Sequence, residues 1–378
     1  MPSELLVDLF HAYYDARKHK RKSAGAIRFE LDYERELFKL HDEIVNGTYE
    51  ISPSICFIAF SPVKREIFAG DFRDRIVHHL LFNYLNPFCE RIFIADSYSC
   101  RKGKGTSFGI RRAVHFIRSA SDNYQRDCFV LRLDISGYFM SIDKRILFEK
   151  VTQIVHRFES EIVFDCRLIL FLIRKVIFND PTKNCVMKGM RDDWIGLPRS
   201  KSLFFSKEGT GLPIGNLTSQ LFSNVYLHDF DMFVRHTLGI RCYGRYVDDM
   251  FFVSHDKAFL ATLPFVVNAY LRDALSLRIH PKKICLQPAR NGVLFLGKMI
   301  LPYRMYLKNA TKGNLYRTIQ KWTAVERQQG KLSLRQARSV RACLDSYRGM
   351  FASCNAHRLE RKMIFCRFFK EMEFEPVL

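Results

Sequence analysis

The sequence predicts an α+β fold in which helices surround a small sheet. Two observations carry that reading. Residues 128–135 and 246–253 are strongly apolar runs of strand length, and each holds acids that core strands ordinarily avoid: Asp134 in the first, Asp248 and Asp249 in the second. Most of the remaining chain has apolar residues at helical spacing, and from about Leu307 it is helical and basic to the end.

In chain order, Leu5, Leu6, Leu9 and Phe10, then Leu31, Leu37, Leu40 and Ile44, space out helices over residues 3–45, interrupted by the basic run from Arg17 to Lys22. Short strands follow at 55–60 and 65–68, then a helix at 73–84. Gly103 and Gly105 mark a loop before another helix at 107–118. After the first acidic strand come helices at 144–158 and 161–178, a polar loop, and a helix that opens in GLPIGNLTSQ and runs to about Val234. The second acidic strand leads to a helix at 255–277 and a strand or hairpin at 292–301. We group these elements into domains at 1–127, 128–300 and 301–378. With no repeat, low-complexity tract or Pro-rich linker between them, the domains are expected to pack on one another.

Sixty Lys and Arg against 39 Asp and Glu give a formal charge of +21, while 48% hydrophobic content marks a folded chain. That balance points to a polyanionic partner, nucleic acid before anionic membrane. The most apolar stretch, 162–178, is cut by Asp165, Arg167, Arg174 and Lys175 well short of a membrane span, and the N-terminus lacks signal-peptide order. Eleven Cys without a C-x-x-C pair argue against a disulfide framework or zinc site and for a reducing cytoplasm.

Carboxylates buried beside aromatic and aliphatic side chains are costly unless a cation or basic group neutralises them. Magnesium, which takes carboxylate oxygens together with water and phosphates, suits that role. Two such ions about 4 Å apart can activate an attacking 3′-oxygen and stabilise departing pyrophosphate, the two-metal route of polymerases. The bland reading makes Asp248 and Asp249 turn residues and Asp134 a helix cap or ion-pair partner; the conjunction of acids from separate segments weighs against it. Asp143, in SIDK, is read as the cap of the helix behind it.

Tyr246-Val247-Asp248-Asp249 resembles the Y-x-D-D box of reverse transcriptases, and LRLDISGYFMSID resembles their first acidic motif. With further motifs in the family's order, the resemblance covers about residues 63–297. It implies a right-hand polymerase fold with fingers at 1–127, a palm of antiparallel sheet and helices at 128–300, and a short helical thumb at 301–378. It also implies RNA-directed DNA polymerase activity on dNTPs, template RNA and cDNA, with Asp134, Asp248 and Asp249 as ligands of two Mg2+ ions. Phe139 matches the aromatic that packs beneath the sugar and excludes a 2′-hydroxyl. KREIFAGDFRDRIVHH and SYSCRKGKGT resemble the N-terminal motifs of bacterial members, and Lys64, Arg65 and Arg101 are the candidates for gripping the triphosphate. Arg75 is either a structural ion-pair residue or a substrate contact, and Lys102 and Lys104 flank the glycines within reach of a template backbone. In LSLRIHPKKICLQP, Lys283, with Lys282 as fallback, fits the lysine that protonates the leaving pyrophosphate. GVLFLG, ending at Gly297, resembles the primer-grip hairpin.

Residues 211–220 narrow the subclass. Ile214 stands where most reverse transcriptases carry Gln, and Ser219-Gln220 where they usually carry Ser-Pro. I-G-N-L-T-S-Q resembles the version in diversity-generating retroelements, whose enzymes misincorporate opposite template adenine. A Gln can hydrogen-bond near the nascent pair, whereas Ile214, followed by Gly215, offers shape and apolar contact. The resemblance implies a structured template RNA, a small accessory protein that forms a basic homopentamer, and a cytoplasmic enzyme encoded by a bacterium or phage. The stretch after Gly297 is expected to hold a helical thumb and not an RNase H, integrase or intron-type endonuclease domain. Arg335, Arg338, Arg341 and Arg348 suit a helix pair tracking a duplex backbone. The alternatives are a retron-like or group II intron-like reverse transcriptase of ordinary fidelity, and an idle RNA-binding scaffold, which the intact aspartates speak against.

Overall fold

The computed structural model describes residues 2–18, 23–61, 63–352, 354–356, 359 and 361; most of the basic run that ends at Lys22, and the end of the C-terminal segment, lie outside these. The chain opens with helices α1 (Pro2–Arg17), α2 (Ala24–Glu30) and α3 (Tyr33–Val45), then strands β1 (Ser54–Ala59) and β2 (Arg65–Ala69). Helices α4 (Phe72–Ile92) and α5 (Thr106–Ala120) lead to β3 (Phe129–Asp134). Next come the single turn α6 (Tyr138–Ser141), α7 (Lys144–Arg157), α8 (Cys166–Phe178) and β4 (Cys185–Met187). Helix α9 (Leu217–Tyr226) continues through α10 (His228–Met232) and a π-helical turn to the hairpin β5 (Tyr243–Tyr246) and β6 (Asp249–Ser254). Helix α11 (Lys257–Leu275), strands β7 (Cys285–Pro288), β8 (Val293–Phe295), β9 (Lys298–Leu301) and β10 (Arg304–Leu307), and helices α12 (Asn309–Gln329) and α13 (Leu334–Phe351) complete the order. The sheets run β2-β1-β4, β5-β6-β3-β7 and β10-β9-β8.

The expected α+β class holds, and the departures in detail have local causes. Asp165 accepts hydrogen bonds from the Arg167 and Leu168 amides, so α8 begins at Cys166 rather than at 161. The loop beyond α8 contributes β4, which pairs in parallel with β1, Ser54 opposite Cys185. A turn at Tyr303, φ 59°, sends the chain back along β9, so the hairpin expected at 292–301 becomes a three-stranded meander. Asp143 caps α7 as expected, accepting from the Arg145 and Ile146 amides.

The chain divides into two compact units, each discontinuous in sequence: Met1–Gly105, Arg132–Phe252 and Ala261–Cys285 form the first, and Thr106–Leu131, Val253–Leu260 and Leu286–Leu378 the second. In the first, α4 packs against α1, α2, α7, α8 and α9. Its buried Ile76, Val77, Leu80, Leu81 and Leu85 cover half of the helix surface, and buried Phe72, His78 and Cys89 widen that face, the pattern of a helix packed on several sides. Each such side chain contributes about 2 kcal/mol by leaving water. In the second unit, Leu315 of α12 and Val340, Leu344 and Phe351 of α13 pack with Leu307. Gly330, at φ 74°, ends α12, and Ser333 with Gln336 forms the capping box that starts α13. No helix among the described residues is long and apolar enough to cross a membrane.

One buried acid of the first unit sets a pH dependence. Asp74 accepts hydrogen bonds from the Tyr49 hydroxyl and the Ser52 amide, yet burial pushes its carboxyl up to about 6. An acid whose folded pKa lies above its unfolded value stabilises the fold in the protonated form, so its contribution is complete below about pH 4 and is lost as pH rises through 6. The lost contribution is at most about 3 kcal/mol. The Tm of the native chain should therefore fall between pH 4 and 7, and Asp74→Asn should flatten that fall, whatever its constant offset; an unchanged slope in calorimetry would reject this assignment.

Candidate active site

Strand β3 buries Val130, Leu131 and Leu133 and ends on the half-buried Asp134. Beside it, β5 and β6 form a tight hairpin with Tyr246 opposite Asp249, so that Val247 and Asp248 occupy the turn. Val247 has φ 57°, a region that β-branched residues rarely adopt. The turn is held by its surroundings. Arg245, fully buried, forms a two-pronged ion pair with Asp231 at 2.8 and 2.6 Å and donates to the Val247 carbonyl at 2.8 Å. The Val247 amide donates to the Ser99 hydroxyl, and Asn224 bonds the Ser99 carbonyl. Gly244 is required because any Cβ there would lie 2.1 Å from the Tyr98 hydroxyl.

All three sequence-predicted acids come together at this end of the sheet. Burial, then the charge of Asp134, push the Asp248 carboxyl up to about 6, with Asp249 adding to the effect. Burial also raises Asp249, against the opposing charge of Arg132, whose guanidinium lies 3.6 Å away. Lys283 stands in the short turn Pro281–Lys283, where the His280 ring accepts from the Lys282 amide. Of the two candidate lysines it is Lys283 that reaches the acids, its ammonium donating to both Asp134 oxygens at 2.8 and 2.7 Å. Among the described residues no three His, Cys, Asp or Glu side chains converge closely enough to hold a metal as they stand. The donor set still has hard-cation chemistry, because it offers only carboxylate oxygens and their mutual repulsion favours any cation placed among them.

Phe139 and Ile214 pack on one apolar cluster built from Cys56, Phe68, Met140 and Leu203. The segment carrying Ile214 is strapped between two neighbours. The Leu212 amide donates to the Phe139 carbonyl and the Phe68 amide to the Ile214 carbonyl, each at 2.8 Å. Gly215 has φ 133°, and a Cβ would meet the Phe68 carbonyl at 2.8 Å, so only glycine fits. Arg65 is exposed, and its charge opposes the burial that raises the Tyr246 phenol. Lys64 lies over the Phe60 ring and donates to the Ile195 carbonyl at 2.6 Å.

Arg101, the third candidate for gripping the triphosphate, is engaged with protein partners in this structure. Its side chain is only 4% exposed, bonded to Glu90 from 2.8 Å and to the Ile94 and Ser97 carbonyls at 2.7 and 2.9 Å. Those partners occupy the guanidinium edges that a triphosphate would need. Arg75 donates to the Gly70 carbonyl and feels the charge of Asp71, and Lys104 donates to the Ala95 carbonyl. A cavity of about 570 Å³ lined by Leu5, Tyr84, Phe88, Phe164 and Leu168 contains none of the predicted site residues. Sequence reasoning missed the Arg245–Asp231 pair, although a charge inside an apolar strand was the signal that exposed the acids.

Residues 64–300 match the model of the family described as reverse transcriptase (RNA-dependent DNA polymerase). The chain belongs to the reverse transcriptase family. It is an RNA-directed DNA polymerase by that membership. A curated relative, Protein YkfC of Escherichia coli (strain K12), is 24% identical over 303 residues, 71% of this chain and 72% of that protein. Apo telomerase from Candida tropicalis truncated from its C-terminal domain shares the fold at TM-score 0.50 and 12% identity, over 68% of this chain and 55% of that one. A second apo telomerase structure from the same organism matches at TM-score 0.47 and 12% identity, over 68% and 49%. The reverse transcriptase chain thus spans about half the length of the telomerase chains it matches.

Arg245→Met should strand Asp231 as a buried lone charge and cost about 3–5 kcal/mol of stability. Combining it with Asp231→Leu should cost less, because no charge is then left alone. Denaturant unfolding of the three proteins checks this, and equal losses in the single and double variants would refute it.

Proposed function

We propose that this reverse transcriptase makes error-prone cDNA, misincorporating opposite template adenine, as the polymerase of a diversity-generating retroelement. The observation that carries the reading is the placement of Ile214: an apolar residue in the I-G-N-L-T-S-Q segment, packed on the same cluster as Phe139, the candidate sugar-selecting aromatic. A site that selects through shape alone discriminates weakly, since one misplaced apolar contact is worth only about 1–3 kcal/mol.

Reverse transcriptases generally use divalent metal ions. In our reading Asp134, Asp248 and Asp249 would hold two magnesium ions, which when bound lower the pKa of the primer 3′-hydroxyl and screen charge on the transferring phosphate. Lys283, already at Asp134, gives a proton to the leaving pyrophosphate. Phe139 packs under the deoxyribose and excludes a 2′-hydroxyl. Arg65, with Lys64 after release from Ile195, meets the triphosphate, while Arg101 supports the loop beneath. Residues 1–127 act as N-terminal helices and fingers, 128–300 as palm and 301–378 as a thumb that tracks the template duplex with its arginines. A structured template RNA, the cDNA and a basic homopentameric accessory protein complete the assembly, in the cytoplasm of a bacterium or a phage host.

The test is primer extension on an RNA template with magnesium, followed by sequencing of the cDNA. The native enzyme should misincorporate mainly at template A, and Ile214→Gln should lower that error about tenfold or more. Accurate native product would instead favour a retron-like or group II intron-like enzyme of ordinary fidelity. Separately, Phe139→Ala should admit ribonucleotides, raising the ratio of rNTP to dNTP efficiency by at least about tenfold; unchanged sugar selectivity would remove Phe139 from the pocket.

A further inference from the structure

Ile214 has no polar atom in its side chain, so only packing and the backbone on either side can fix its position. That backbone is clamped by a set of buried polar groups that polymerase chemistry does not call for. Asn216, two residues on, accepts a hydrogen bond from the Gly70 amide through Oδ1 at 3.1 Å. Thr218 Oγ1 and His78 Nδ1 are hydrogen bonded at 2.8 Å. Asn216, Thr218 and His78 are all buried, and burial drives His78 down to about 3, so it is a neutral imidazole. Gly70 fits the corner because a Cβ would press on Asn216 Oδ1 at 3.3 Å and approach the His78 ring at 3.7 Å. The clamp joins the start of α9 to the end of β2 and to α4. Phe68, whose amide holds the Ile214 carbonyl, stands two residues from Gly70 and belongs to the cluster that Ile214 and Phe139 share.

We propose that Asn216 and Thr218 are positioning residues for nucleotide choice, holding Ile214 in register with Phe139 through their bonds to Gly70 and His78. The inference rests on reading Ile214 as a residue of the nucleotide pocket. Asn216 and Thr218 touch no substrate; they set where the apolar wall stands. A displacement on the order of 1 Å in such a wall is enough to change efficiency substantially.

The experiment is single-nucleotide insertion by the full chain opposite each of the four template bases, with thermal unfolding of every variant. Asn216→Ala and Thr218→Val remove the two bonds. Asn216→Asp, which keeps the acceptor at a helix N-cap, and Thr218→Ser, which keeps the hydroxyl, retain them. We expect Asn216→Ala to raise KM for dNTP about tenfold with kcat changed less than about threefold, and to shift the ratio of wrong to right insertion; the Asp and Ser variants should return to within about twofold of native. In an Ile214→Ala background, Asn216→Ala should add less than about twofold, because both act on one wall. If Asn216→Ala does not fold, Thr218→Val carries the same comparison. Native KM and insertion ratios in the clamp variants, or full additivity with Ile214→Ala, would overturn the inference. Faithful copying by the native enzyme would remove the mutagenic reading alone, since KM is measured at all four bases; a native KM in the clamp variants of an error-prone enzyme would remove the clamp alone.

Discussion

Arg245 and Asp231 form the contact on which the turn carrying Asp248 depends. Taking a guanidinium and a carboxylate out of water is expensive, and the pair is tolerable only because the groups around it are satisfied as well. Tyr243 donates to the same carboxylate, and the remaining guanidinium edges reach Val247 and Ser97. The consequence is geometric. Arg245 belongs to β5 and Val247 to the turn that follows it, so the ion pair fixes the carbonyl immediately before Asp248. A valine at φ 57° would relax if it were held by one bond; here its amide and its carbonyl are both held.

With the turn fixed, the acids stay buried and close together, and burial first, then their mutual repulsion, raises the Asp248 and Asp249 carboxyls. The nearby cations answer that cost unequally. Arg132 approaches Asp249 from β3 itself, whereas Lys283 reaches Asp134 from a short turn on a half-exposed side chain. An exposed ion pair is weakened by solvent and salt, so Lys283 is held more loosely than Arg132. Local stability is given up to keep negative charge concentrated at this end of the sheet.

What the sequence revealed follows from the range of each interaction. Caps act over three residues, so Asp143 and Asp165 could be read, the first as a cap and the second only as a charge in an apolar stretch. Acids at the ends of apolar strands stood out against their neighbours. Basic residues did not, because in a chain of charge +21 another arginine looks like surface. Arg245 was therefore overlooked and Arg101 assigned to phosphate, although Glu90 lies eleven residues before it on α4. The Asn216–Gly70 bond spans 146 residues, and no local pattern announces a contact of that length.

The same distance argument explains why the I-G-N-L-T-S-Q segment acts as a unit. Its glycine fits against Phe68, its asparagine against Gly70, its threonine against His78, and its isoleucine into an apolar cluster with Phe139. Most of the partners lie on the β2–α4 corner and on α6, with Cys56 on β1 and Leu203 beyond β4, so a change at one position is felt at the others through shared neighbours. A polar residue at 214 would have to direct its amide away from Cys56, Phe68, Met140 and Leu203 or leave it unpaired among them, at about 1–3 kcal/mol. The surroundings are matched to an apolar side chain at 214 and to glycine at 215. Within the first unit, shape at this wall and charge at the aspartates are therefore set by different parts of the fold, so that one can change while the other is kept.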